Sequence, residues 1–143
     1  MTGAGDAGID GLCMIIQYAK DPEASAAFYR DLLGLRAKEV SAGWAEFEVG
    51  GGVSIACTRT AKMPATREAA RPWVVLSCAD VVGTWRRLLA RGVTFLTPPV
   101  KVYGDETTTG LSADLEDPDG NRLSLLGSIP TKDLPADGTF APA

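Results

Sequence analysis

The sequence predicts an α+β domain built from two βαβββ modules, and three observations carry that prediction. The same strand–helix plan occurs twice, as MIIQYAKDPEASAAFYRDLLGL from Met14 and as WVVLSCADVVGTWRRLLARGV from Trp73. In each copy an Asp (Asp21 or Asp80) stands seven residues after the first member of the apolar run, placed to cap a helix. In each copy a glycine, Gly34 or Gly92, follows the helical stretch and stops it. The two Asp anchors lie 59 residues apart. Duplication at that distance favours paired half-domains over a solenoid, which needs about three repeats or more. A repeated half-domain points to a pseudo-symmetric fold with a cavity.

The elements follow in order. Leu12 to Tyr18 is an apolar β-type run. Asp21 caps the next helix, with Pro22 at the first helical position, where its missing N–H costs nothing. Phe28 and Leu32, with Tyr29 and Leu33, fall four apart and predict one apolar stripe. Three short strands, Arg36 to Val40, Trp44 to Val49 and Val53 to Thr58, are separated by glycine-bearing turns. The stretch RTAKMPATREAA is polar, carries Pro64 and reads as a linker with room for one helical turn. In the second copy, Val74 to Ser77 is a strand, and Trp85, Leu88 and Leu89 line a helix, with Trp85 in the core. Val93 to Leu96 reads as the next strand, and TPPVKVYGDETTTG holds part of another. Ser112 to Glu116 and Arg122 to Leu126 flank the turn DPDG. The predicted boundaries are a mobile segment over 1–10, modules over 11–60 and 71–127, a linker over 61–70 and a mobile tail over 128–143.

The totals narrow the function classes. A chain of 143 residues is long enough to bury about 70% of its extended surface in one domain. A net charge of −4 argues against nucleic acid and anionic membranes as partners. No apolar run approaches the ~20 residues of a membrane span, and the start MTGAGDAGIDG lacks the pattern of a secretory signal. Cys13, Cys57 and Cys78 are odd in number, lie in apolar β-type segments and have no neighbours at metal-site spacing. They read as reduced packing thiols of a cytoplasmic protein. The chain has no His, so no Ser-His or Cys-His pair exists.

FYRDLLGL after a capped strand and EDPDGNRLSLL near the end resemble the vicinal oxygen chelate superfamily of glyoxalases, bleomycin-resistance proteins and extradiol dioxygenases. The resemblance spans about residues 11 to 127. It implies a curved mixed sheet forming a cup around a ligand cavity, and commonly a homodimer. Metal-using members carry His or Glu on the first and last strand of each module. Those positions fall on Met14 and Trp73 and, from aligning GGVSIAC with DGNRLSL, on Ala56 and Ser124. None of the four suits a hard or borderline divalent ion, which asks for imidazole or carboxylate. The expected metal and cofactor are therefore none.

What replaces the ligands has its own chemistry. Met14 and Trp73 make an apolar floor suited to a planar ligand, or else plug a vestigial pocket. Trp44 and Tyr103 are further stacking candidates, or rim packing. Phe47 has the opposite strand parity to Trp44, so at most one of them faces the cup. Glu46 shares a face with Trp44 and Glu48, as Asp114 does with Glu116. Facing solvent these acids solubilise; facing the cup they hold a cation or act as a base. Arg122 pairs with local acids or faces the mouth, and Gly50 to Gly52 read as a hairpin turn. The leading expectation is a metal-independent small-molecule-binding protein, with drug or natural-product sequestration as one role. Its expected ligand-binding residues are Met14, Trp44, Glu46, Ala56, Trp73, Tyr103 and Ser124. The alternative is a lyase or isomerase of the same family driven by one carboxylate, Glu46 or Glu116, without the metal. A metal enzyme through a non-family site and a filled cup serving only as an interaction surface are the remaining readings.

Overall fold

A computed structural model of the chain describes residues 6–143. The elements run β1 (Ile9–Tyr18), α1 (Pro22–Ala26), β2 (Arg36–Val40), β3 (Trp44–Gly50), β4 (Val53–Thr58), β5 (Trp73–Cys78), α2 (Val81–Ala90), β6 (Val100–Gly104), β7 (Thr108–Glu116) and β8 (Arg122–Pro130). This is βαβββ twice, in the α+β class. The chain forms two compact units: a central one, Cys13–Val74, and a terminal one that joins the segment ending at Leu12 to Val75–Ala143.

The central unit has strand order β2-β3-β4-β1. β1 and β4 pair in parallel, while β2–β3 and β3–β4 are antiparallel hairpins. Asp21 caps α1 as expected, its carboxylate accepting from the Glu23 and Ala24 amides at 3.1 and 3.3 Å. The helix then widens into a π-helical segment, Ala27–Leu32, in which the Leu33 amide donates to the Phe28 carbonyl. That widening corrects the expected apolar stripe. It turns Tyr29 onto Phe47, rings stacked at 5.2 Å, with Phe28 edge-on to Tyr29 at 5.1 Å. Phe28 and Leu33 are left exposed, and Leu32 is 77% exposed. Ala26, Ala45, Phe47 and Cys57 form the core beneath.

The terminal unit has strand order β5-β8-β7-β6, with β6–β7 and β7–β8 antiparallel. Asp80 caps α2 by accepting from the Gly83 amide at 3.0 Å, and any Cβ at Gly83 would collide with that carboxylate. α2 buries Val81, Val82, Trp85 and Leu88 against Leu111 and Leu125. Val93 to Leu96 does not form the expected strand. Phe95 makes one isolated bridge to Leu115 and packs on the α2 core, and Pro98 and Pro99 follow at once.

The described residues of both ends pack against α2. Within the described part of 1–10, β1 starts at Ile9 and Ala7 is buried against α2; residues 1–5 lie outside the described residues. Arg87 Nε donates to the Ala7 carbonyl at 2.8 Å, and Arg91 pairs with Asp6 at 2.9 Å. In 128–143, β8 continues to Pro130, Leu134 and Phe140 pack on the α2 core, and Arg86 Nε donates to the Ala141 carbonyl at 2.9 Å. The helix uses the few apolar residues of both ends as a cover.

Two outcomes are expected from this packing. Phe140→Ala should cost about 1–2 kcal/mol of buried area and lower Tm by about 3–6 °C; an unchanged melt would show that the tail is not packed. Burial pushes the Cys78 thiol up to about 11 from the usual 9.0. Because the unfolded chain ionises first, stability should be intact below pH 9 and fall between pH 9 and 11. Comparing parent and Cys78→Ala in urea across that range should show a flatter alkaline arm in the variant.

Candidate functional site

Strand pairing lays out one face of the central unit row by row. Alternation sends Ala45, Phe47 and Cys57 to the α1 side, which leaves Trp44, Glu46 and Glu48 on the other face. Register places Trp44 beside Thr58, and Thr58 beside Tyr18. The Tyr18 ring meets Trp73 at 5.4 Å, tilted by 52°. The next row is Glu46, Ala56 and Ile16, and the next Glu48, Ser54 and Met14. Five of the seven predicted site residues thus belong to this unit: Met14, Trp44, Glu46, Ala56 and Trp73.

Their exposures differ. Met14, Trp44, Tyr18 and Glu46 are half-buried, whereas Ala56 is fully buried and Trp73 is 8% exposed. Ala56 is therefore floor, and Trp73 backs the Tyr18 ring. The rings with surface to offer are Trp44 and Tyr18. Sequence reasoning missed Tyr18, although its even parity with Met14 on β1 was the signal for it.

Glu46 sits at the centre of the polar chemistry. Trp44 Nε1 donates to its Oε1 at 3.4 Å, and Lys38 Nζ lies 3.3 Å from its Oε2. Lys38 reaches it from the edge strand β2, where a register shift between Ala37 and Glu39 breaks the simple alternation. Glu48 pairs more loosely with the exposed Arg36, at 3.7 Å. Cys13 lies within electrostatic reach of this group. Its thiol is raised above the usual value by burial first and by the Glu46 charge second, with Lys38 opposing.

Tyr103 and Ser124 belong to the terminal unit. Tyr103 is exposed at the β6 edge, its ring so close over Gly110 that a Cβ there would collide with it. Ser124 is buried and donates to Asp114 Oδ1 at 2.6 Å; Arg122 Nη2 donates to Asp114 Oδ2 at 2.8 Å. The Ser124 hydroxyl is thus committed to a neighbouring side chain. A separate groove of about 660 Å³ runs between Gly92–Thr94 and the turn containing Pro118 and Gly120. None of the seven expected ligand-binding residues lines it, but Glu116, the other carboxylate of the alternative enzyme reading, does.

The family's divalent ion does not fit this donor set. Its four positions offer a thioether, a methyl, an indole and a hydroxyl already held by Asp114. Among the described residues, no three His, Cys, Asp or Glu side chains are grouped to hold a metal. No helix among them is long and apolar enough to cross a membrane.

Comparison with known proteins now places the chain. No curated protein matches it. A superfamily member from Vibrio splendidus 12B01 has a similar fold, with 15% identity, TM-score 0.59 and coverage of 81% of this chain and 97% of that one. A variant of methylmalonyl-CoA epimerase from Streptomyces coelicolor is similar at 16% identity and TM-score 0.66, covering 83% and 97%. The Mn(II)-bound glyoxalase from Novosphingobium aromaticivorans is 18% identical at TM-score 0.59, covering 84% of this chain and 39% of its own. At these identities the likeness shows the fold alone. The family model described as Glyoxalase/Bleomycin resistance protein/Dioxygenase superfamily matches residues 11–125, most of the chain, and the protein belongs to that superfamily.

Proposed function

We propose that the protein binds a planar or amphipathic small molecule on the central unit's Trp44–Tyr18 face, without a metal ion. One observation carries the reading. The row Trp44, Thr58, Tyr18 and Trp73, flanked by Met14 and Ile16, sets aromatic and apolar surface together, and it includes Met14 and Trp73, two of the four positions at which the family resemblance implies metal ligands. Aromatic faces and a thioether suit a flat ligand, and small-molecule sites are mostly apolar with a few placed polar groups. Glu46, on the same face, supplies the polar anchor. Such a site retains its ligand by burial and stacking and needs no nucleophile. Sequestration of a drug or natural product is the role that fits it. A second copy of the chain is the proposed protein partner, supported by the exposed apolar Phe28, Leu32 and Leu33.

Acridine, a flat tricycle that is neutral at pH 7.5, is the probe, read by quenching of tryptophan fluorescence. Trp44→Ala and Tyr18→Ala should each weaken its binding by about three- to tenfold, the worth of one aromatic contact. Trp73→Ala should weaken it at least as much, because Tyr18 loses its backing. Binding as tight as the parent's in Trp73→Ala would place the site elsewhere. Dialysis against a chelator should leave the parent's affinity unchanged; affinity that disappears and returns with added Zn²⁺ or Mn²⁺ would overturn the metal-independent reading.

A further inference from the structure

The two modules carry a carboxylate at the same place and use it differently. Glu46 on β3 lies beside Ala56 of β4, and Asp114 on β7 lies beside Ser124 of β8. Ala56 and Ser124 are themselves equivalent in the aligned strands GGVSIAC and DGNRLSL. Asp114 is tied on both oxygens by short bonds, 2.6 Å from Ser124 and 2.8 Å from Arg122. Glu46 has no such ties. Its strand neighbour Ala56 offers no donor, the Trp44 indole reaches it only at 3.4 Å, and Lys38 stands 3.3 Å away. The Glu46 side chain is 14% exposed, while that of Lys38 is 47% exposed on a flexible stem. Glu46 therefore meets its two partners at longer range than Asp114 meets its own, and neither partner comes from its neighbour on β4.

We propose that Glu46 is a cation-selecting anchor, so that the ligand class of this face is a planar aromatic bearing a protonated nitrogen, which takes the place of the Lys38 ammonium. The inference rests on the binding reading above and deepens it. Lys38 acts as an internal stand-in: it neutralises Glu46 in the empty protein and swings to solvent when a ligand cation arrives. The indole of Trp44 turns its N–H edge to the same carboxylate, so a flat cation that reaches Glu46 has an aromatic ring beside it on which to stack. Asp114, bound by its own module, takes no part. The net charge of −4 assists the approach of such a ligand.

The test compares 9-aminoacridine, a cation at pH 7.5, with acridine, its neutral counterpart, by fluorescence titration of parent, Glu46→Gln and Lys38→Met. The readout is the ratio of the two affinities. The parent should favour 9-aminoacridine by about tenfold or more, as expected of a hydrogen bond to a charged group. Glu46→Gln should bring the ratio close to one. Lys38→Met, which removes the competitor, should raise it by about threefold or more. A ratio near one in the parent, or one that Glu46→Gln leaves unchanged, overturns the cation assignment while the binding reading stands. A ratio lowered by Lys38→Met overturns the stand-in role. Failure of both dyes to bind overturns the binding reading and, with it, this inference.

Discussion

The ring of Tyr29 lying on Phe47 is the contact on which the rest of the central unit depends. Phe47 is fully buried, with the two rings 5.2 Å apart. Once that side chain faces α1, the period of two along β3 leaves Trp44, Glu46 and Glu48 no choice of face. A slip of one residue would bury two carboxylates against a helix and expose Phe47, a cost of several kcal/mol that specifies the register. The π-helical turn at Ala27–Leu32 serves the same contact, rotating Tyr29 inward and leaving Leu32 outside. Core packing on one side of the sheet therefore builds the candidate site on the other.

The terminal unit obeys the same logic around a different anchor. Trp85 and Leu88 of α2 claim one face of its sheet, and Asp114, Arg122 and Ser124 are left on the opposite one. The outcome differs because the polar partners differ. Where the second module has Ser124 to satisfy its carboxylate, the first has Ala56. The two carboxylates therefore end differently: Asp114 in a closed polar cluster, Glu46 on a face with aromatic and apolar neighbours.

How much of this is legible in the sequence depends on whether the signal is local. The caps at Asp21 and Asp80, the β2–β4 strands, the DPDG turn and the parity that separates Trp44 from Phe47 all depend on short spacings, and the structure agrees with each. The stripe through Phe28 and Leu32 assumed 3.6 residues per turn, and a π-helical insertion is invisible to that assumption. Val93 to Leu96 has the composition of a strand, but Pro98 and Pro99 and the pull of Phe95 into the α2 core leave a single bridge. By composition the ends carry little to bury, and the packing of Ala7, Leu134 and Phe140 on a distant helix is a tertiary contact that no local spacing reveals. Of the candidate site, the shared face of Trp44, Glu46 and Glu48 along β3 is legible. The pairing of Lys38 with Glu46 and the commitment of Ser124 to Asp114 are not, since both join different strands.

Occupation of the Trp44–Tyr18 face by a flat ligand, in a metal-free protein, is tested most directly by a crystal structure of chelator-treated protein soaked with 9-aminoacridine. The expected result is density for the ring system against Trp44 and Tyr18, its nitrogen within hydrogen-bonding distance of Glu46 and Lys38 turned away. Density confined to the groove beside Gly92 and Pro118, or a metal ion held at Met14 and Ala56, would contradict it.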